Sequence, residues 1–194
     1  MKFKNNSIAL FGTSADPPTL GHEALLSELT KIFPKVITWA SDNPDKKHQI
    51  PLLKRTQLLR ILVKKISHPK LELVQELSSP RTIHTLKKAF QLWPEASFSF
   101  VIGSDLAMQV PKWLNAKSIL SKVRIAIAMR DGWPISDVQL AKIEKLGGKI
   151  EILPFKIPEA SSSKFRERPQ KVLVPQELVP LLLEENLYGL ADKI

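Results

Sequence analysis

The chain has 194 residues, 43% of them hydrophobic and 25% charged, the proportions of one globular domain long enough to bury a core. It has no cysteine, only seven glycines and no apolar run near the ~18 residues of a membrane span. A disulfide scaffold, a thiol nucleophile, a cysteine-ligated metal, a collagen-like repeat and a spanning helix are therefore excluded, and a reducing cytoplasm is the expected compartment. Lys and Arg total 29 against 19 Asp and Glu, and the net charge of +10 fits either an anionic partner or a surface kept basic for solubility.

Met1–Asn6 leads into a short apolar run, Ser7 to Phe11, too brief for a signal-peptide core. That run, ended by Gly12, reads as a buried strand. From Gly21, the residues Leu25, Leu26, Leu29, Ile32 and Phe33 recur at helical spacing until Pro34. Val36–Ala40 is a β-branched strand, 42–49 a polar loop, and Pro51 suits the first turn of a helix carrying Leu58, Leu62 and Ile66 on one face. Leu71–Val74 reads as a strand, Thr82–Leu92 as a helix and Phe98–Ile102 as a strand broken at Gly103. Ala116–Lys122 is a short helix, Arg124–Met129 a strand, and Ile135–Leu146 a helix with Gly147 and Gly148 where a C-cap belongs. Lys149–Leu153 is the last strand, and Gln176–Leu183 the last long helix, shortened or kinked by Pro180.

Alternation of this kind predicts an α/β fold: a doubly wound, Rossmann-like parallel sheet with helices on both faces. No linker divides the chain, so residues 1–194 are expected to form one domain, with the helical part from about 160 packed on it. Ligands of such sheets bind at the carboxyl ends of the strands, which makes the residues just after each strand the ones to inspect.

The first such segment is Gly12-Thr13-Ser14-Ala15-Asp16-Pro17-Pro18-Thr19-Leu20-Gly21-His22. It is a Pro-stiffened turn opening a helix, where exposed amides and the helix dipole favour an anion. His22, in the first helical turn, adds a donor that can be cationic near neutral pH. Taken alone, the same residues also describe an ordinary capped loop with a solvent-facing His.

The segment resembles the signature of nucleotidylyltransferases, matching it at Asp16, Pro17, Thr19, Gly21 and His22. Ala160-Ser161-Ser162-Ser163-Lys164-Phe165-Arg166 resembles the second motif of that family, after the last strand and opening a helix. Within the family, the bacterial nicotinate-nucleotide adenylyltransferases are the branch most similar. Asn43-Pro44-Asp45-Lys46 with Arg55, Thr82–Leu86, Ile102–Asp105 with Trp113, and Arg130-Asp131-Gly132 each resemble a segment of that branch, as does the tail to Tyr188. Ala15, Thr13, Thr19 and Arg81 depart from its pattern.

The resemblance implies transfer of the adenylyl group of ATP to nicotinate mononucleotide, with pyrophosphate leaving and Mg²⁺ accompanying the ATP. By the same likeness, His22, Thr19 and Arg166 are the catalytic set, and Gly12, Thr13, Ser14, Gly21, Ser161, Ser162 and Ser163 hold ATP. Asp16, Lys46, Arg55, Thr85, Gly103, Asp105, Trp113 and Arg130 hold the mononucleotide. No residue set with metal-ligand spacing is found. No nucleic acid or membrane partner is expected, and a homo-oligomer is left open. Nicotinamide mononucleotide or pantetheine phosphate as acceptor, and an inactive nucleotide-binding homologue, are the alternatives.

Overall fold

A computed structural model describes residues 4–193; Met1–Phe3, at the start of the chain read above, and Ile194 lie outside. Ser7–Thr13 forms β1, whose alternate side chains enter two different cores. Ile8 and Leu10 face one layer, Ala9 and Phe11 the other. A strand buried on both sides has no polar face to show, which is why the run is continuously apolar.

The remaining strands are β2 (Lys35–Ala40), β3 (Leu71–Leu73), β4 (Ser97–Gly103), β5 (Arg124–Arg130) and β6 (Lys149–Ile157). They form one parallel sheet in the order β3-β2-β1-β4-β5-β6. Helices α1 (Leu20–Ile32) and α2 (Leu52–Ile66) cover one face through Leu25, Leu29, Leu59 and Leu62. On the other face lie α3 (Thr82–Leu92), α4 (Ala116–Leu120) and α5 (Asp137–Glu144), which contribute Leu86, Ile119 and Ile143. Leu10 pairs with Ile37 of β2 and Phe100 of β4, so β1 lies between the two halves. The chain reverses its winding there, and the carboxyl ends of β1 and β4 leave a crevice. The doubly wound α/β expectation holds.

After β6 come α6 (Ser162–Glu167) and α7 (Val179–Glu184). Phe165, Val174, Leu178, Leu182, Tyr188 and Leu190 bury against Ile50 and Leu58 of the α2 region as a third apolar cluster. Among the described residues no helix is long and apolar enough to cross a membrane.

One element goes unassigned in the sequence reading, and two differ from it. Residues Ser104–Lys112 form 3₁₀ turns; the buried Ser104, Ala107 and Val110 recur every three residues, the period of that helix rather than of an α-helix. Strand β6 runs past Pro154 to Ile157, which an edge strand tolerates because the missing N–H is not needed by a second neighbour. The last helix begins at Val179, because Pro180 lacks an N–H and fits only the first turn; Gln176–Leu178 is a separate 3₁₀ turn.

Candidate active site

A pocket of about 510 Å³ opens at the crevice, lined by the ends of β1, β2, β4 and β5 and by the start of α6. Fifteen of the eighteen residues singled out above line it: Gly12, Thr13, Ser14, Asp16, His22, Lys46, Thr85, Gly103, Asp105, Trp113, Arg130, Ser161, Ser162, Ser163 and Arg166. Thr19, Gly21 and Arg55 lie behind its wall.

Thr19 caps α1, and its backbone N–H donates to His22 Nδ1 at 3.0 Å. An accepting Nδ1 places the ring proton on Nε2. Burial first, then Arg130 and Lys46, push the imidazole down to about 3, so of the two charge states open to His22 the neutral donor holds. The Thr19 hydroxyl is fully buried and donates to the Ala160 carbonyl at 2.8 Å. It is therefore not the phosphate ligand foreseen but a tie between the two motif segments. Gly21 serves the same junction: a Cβ there would collide with the Ala160 carbonyl, so its contribution is close approach rather than contact with ATP. At Gly12 a Cβ would lie 2.5 Å from the Trp39 ring, which crosses over the end of β1.

The second segment meets the first from above. Ser161 caps α6 by accepting from the Lys164 N–H at 3.2 Å. Ser162 Oγ donates to the Pro17 carbonyl at 2.8 Å, and Arg166 Nη1 to the Asp16 carbonyl at 2.7 Å. Arg166 Nη2 reaches Ser163 Oγ at 3.4 Å. Its guanidinium has further donors available at the pocket surface.

Two expected mononucleotide ligands have other partners. The Asp16 carboxylate accepts from the Gln49 N–H at 2.9 Å and from the Tyr188 hydroxyl at 2.7 Å, so both oxygens are engaged inside the protein. Arg55 is 1% exposed and donates to the carbonyls of Ser14 and Ser41, each at 2.7 Å, and of Ile50 at 3.2 Å. It fastens the β1–α1 turn to the loop after β2. With Nε and Nη1 spent on carbonyls and Nη2 3.8 Å from Asp42 Oδ1, this buried guanidinium is turned to the protein rather than to a substrate.

At the far side, Lys46 Nζ lies 3.3 Å from Ser14 Oγ. Desolvation, with Arg166 and Arg130 nearby, lowers its pKa despite the opposing Asp105. Asp105 Oδ1 and Arg130 Nε are 3.6 Å apart, both buried and neither hydrogen-bonded, a donor and an acceptor held ready at the wall. Trp113 packs edge-on against Phe100 at 5.5 Å and lines the pocket beside the buried Thr85. Sequence reasoning missed Trp39, Phe100, His48, Gln109 and Trp133, which also line it. Trp39 ends a strand and Trp133 closely follows one, so the rule of inspecting strand ends would have found both.

Among the described residues no group of three or more His, Asp or Glu could hold a metal ion. Asp16 is engaged inside the protein, and the buried Asp105 Oδ1 faces Arg130 Nε without a hydrogen bond. This donor set fits a hard divalent cation carried mainly by phosphates and water, not a resident ion.

The crevice at the strand-order reversal, with a neutral histidine among serines and cations, has the chemistry of a site that handles nucleotide phosphates. The cytidylyltransferase-like family profile matches residues 10–168, and the chain belongs to that family. Among individual proteins, the probable nicotinate-nucleotide adenylyltransferase of Synechocystis sp. is 34% identical to it, over 93% of this chain and 98% of the relative. The probable enzyme of the same name from Bacillus licheniformis is 26% identical, over 93% of this chain and 97% of its own length. The nicotinic acid mononucleotide adenylyltransferase of Plasmodium falciparum, solved in complex with NaAD, shares the fold: TM-score 0.80, covering 95% of this chain and 98% of that one, at 22% identity.

Proposed function

We propose that the protein transfers the adenylyl group of ATP to nicotinate mononucleotide, giving nicotinate adenine dinucleotide and pyrophosphate, a step in NAD synthesis. The observation that carries this reading is the interlock of the two motif segments. Thr19 binds Ala160, Ser162 binds Pro17 and Arg166 binds Asp16, across separations of 141, 145 and 150 residues, around the neutral His22 donor. The names of the relatives point to the acceptor.

The acceptor phosphate is already anionic, so attack on the α-phosphorus needs no general base and no covalent intermediate. The new O–P bond forms as the bond to the β-phosphate oxygen breaks, and pyrophosphate carries away the electron pair. Catalysis then rests on in-line placement and on donors aimed at developing charge. His22 Nε2–H meets the phosphate oxygens without the penalty of carrying a buried charge. Arg166 and the Ser163 hydroxyl hold the triphosphate from α6, while Lys46 and Arg130 meet the acceptor phosphate from the opposite wall. Trp113 stacks on the pyridine ring, the Thr85 side receives its carboxylate, and Asp105 accepts from ribose. A divalent cation such as Mg²⁺, held mainly by the phosphates and water, would neutralise charge on the leaving group. Residues 4–193 act in this reading as a single domain, the segment from about 160 completing the site.

The test is pyrophosphate release from ATP and Mg²⁺ with nicotinate mononucleotide, nicotinamide mononucleotide or phosphopantetheine supplied separately. Release is expected to be fastest with nicotinate mononucleotide. A preference for another acceptor would overturn the substrate assignment and keep the reaction. No release with any acceptor, from folded protein, would overturn the reaction.

A further inference from the structure

Tyr188 lies 172 residues from Asp16, in a 3₁₀ turn near the end of the described chain, yet its hydroxyl donates to Asp16 Oδ1 at 2.7 Å. The residue is 7% exposed and Asp16 is not exposed at all. Its ring stands edge-on to Phe165 at 5.5 Å, and Phe165 precedes Arg166 on α6. One side chain thus touches both motif segments: the carboxylate of the first and the helix that carries the arginine of the second.

The backbone supports a specific role for this placement. Tyr188 has φ 60° and ψ 16°, a left-handed conformation unfavourable for a bulky residue. Its neighbours hold the turn in that shape. Asn186 is also left-handed, its side chain binds the Asp192 carboxylate, and it accepts from the Ala191 N–H. Burial and the neighbouring carboxylate push the Tyr188 hydroxyl well above the usual phenol range, so it remains a donor at every working pH.

We propose that Tyr188 is a positioning residue for ATP: by occupying Asp16 Oδ1 it keeps that carboxylate from drawing the Arg166 guanidinium away from the phosphates. The geometry leaves few other partners. Arg166 Nη1 is already only 3.6 Å from Asp16 Oδ2 while it donates to the Asp16 carbonyl. His48 Nδ1 lies 3.8 Å from the same oxygen, with a pKa lowered chiefly by burial, and it supplies no cation near neutral pH. Arg55 is committed to three carbonyls. Once the tyrosine hydroxyl is removed, the buried Oδ1 is left unsatisfied, and Arg166, whose Nη1 already lies 3.6 Å from the other oxygen of the same carboxylate, is the charged donor beside it that can turn inward.

This inference rests on the proposed use of the pocket for ATP, and its test does not require turnover. In the full chain, Tyr188→Phe removes the hydroxyl and keeps the ring on Phe165. Leu190→Ala loosens the same apolar cluster and leaves the hydrogen bond intact. ATP affinity by calorimetry is expected to fall about ten- to a hundredfold in Tyr188→Phe, the range for one lost charge-assisted bond between Arg166 and phosphate, and to change less than about twofold in Leu190→Ala at an equal or larger drop in melting temperature. In turnover, the KM for ATP should rise and the KM for the acceptor should hold. Unchanged ATP affinity in Tyr188→Phe, or an equal loss in Leu190→Ala, would overturn the proposal and reduce Tyr188 to packing. Wild-type protein that binds ATP and adenylylates none of the acceptors would overturn the function proposed above, and the affinity comparison would still decide this one.

Discussion

Replacing Arg55 with methionine keeps most of the side-chain stem and removes the guanidinium that joins two pocket loops. Three carbonyls lose their donor: Ser14 and Ser41 at 2.7 Å and Ile50 at 3.2 Å. Each hydrogen bond to a charged group contributes about 1.5–3 kcal/mol, so the gross loss is large. Burying the guanidinium has its own desolvation cost, which the variant recovers, and water from the adjacent pocket can solvate part of what is left. The net destabilisation is then about 3 kcal/mol, near the value for breaking a buried charged interaction. For a chain of this size that corresponds to a fall of about 6–12 °C in melting temperature. Urea unfolding followed by circular dichroism measures it directly. The Ser14 turn and the Lys46 loop should loosen together, raising KM for both nucleotides. A loss below about 1 kcal/mol with an unchanged m-value would show that Arg55 is not the fastener described here.

Other expectations follow from the same geometry. Gly21→Ala drives a Cβ into the backbone carbonyl of Ala160 and should part the two motif segments, lowering kcat/KM by at least about tenfold and stability by about 1–3 kcal/mol; normal kinetics would place that junction outside the site. His22→Ala should lower turnover by about ten- to a thousandfold, the range for one charge-stabilising donor, and steady-state assay of the variant decides it. His22 also sets an acid limit. The unfolded imidazole takes up its proton near the ordinary value of 6.5 and the folded one only near 3, so stability is complete above about 6.5 and lost as the pH falls between these values. The ceiling on that loss is about 5 kcal/mol. Urea midpoints at pH 7 and pH 4.5 should converge when wild type is compared with His22→Gln, and an equal acid loss in both would assign the sensitivity to other groups.

The local order of the chain was legible because strand and helix each leave a periodic trace. The continuous apolar run of β1 and the helical spacing of Leu25, Leu26 and Leu29 come from burial on two faces and on one. The two motif segments were legible through their resemblance to the nucleotidylyltransferase signature, since a strand, a stiff turn and a helix start taken alone also describe an ordinary capped loop. The local pattern misled where tertiary context overrode it. Pro154 looked like a strand end, and only the edge position of β6 makes it tolerable.

Side-chain roles divided along the same line. Arg55 reads in sequence, by resemblance, as a mononucleotide ligand, because its three carbonyl partners come from other segments of the chain and leave no local signature. Asp16 reads as a ligand until Gln49 and Tyr188 are brought to its two oxygens. His22 reads as a donor of either charge state until burial and two neighbouring positive charges disfavour the proton. Sequence by itself determined the alternation of strands and helices, the place of the pocket at strand ends and about half of the residues that line it. Tertiary structure alone decided which of those groups are free to meet a ligand and in which charge state, since partners and desolvation both depend on contacts between segments far apart in the chain.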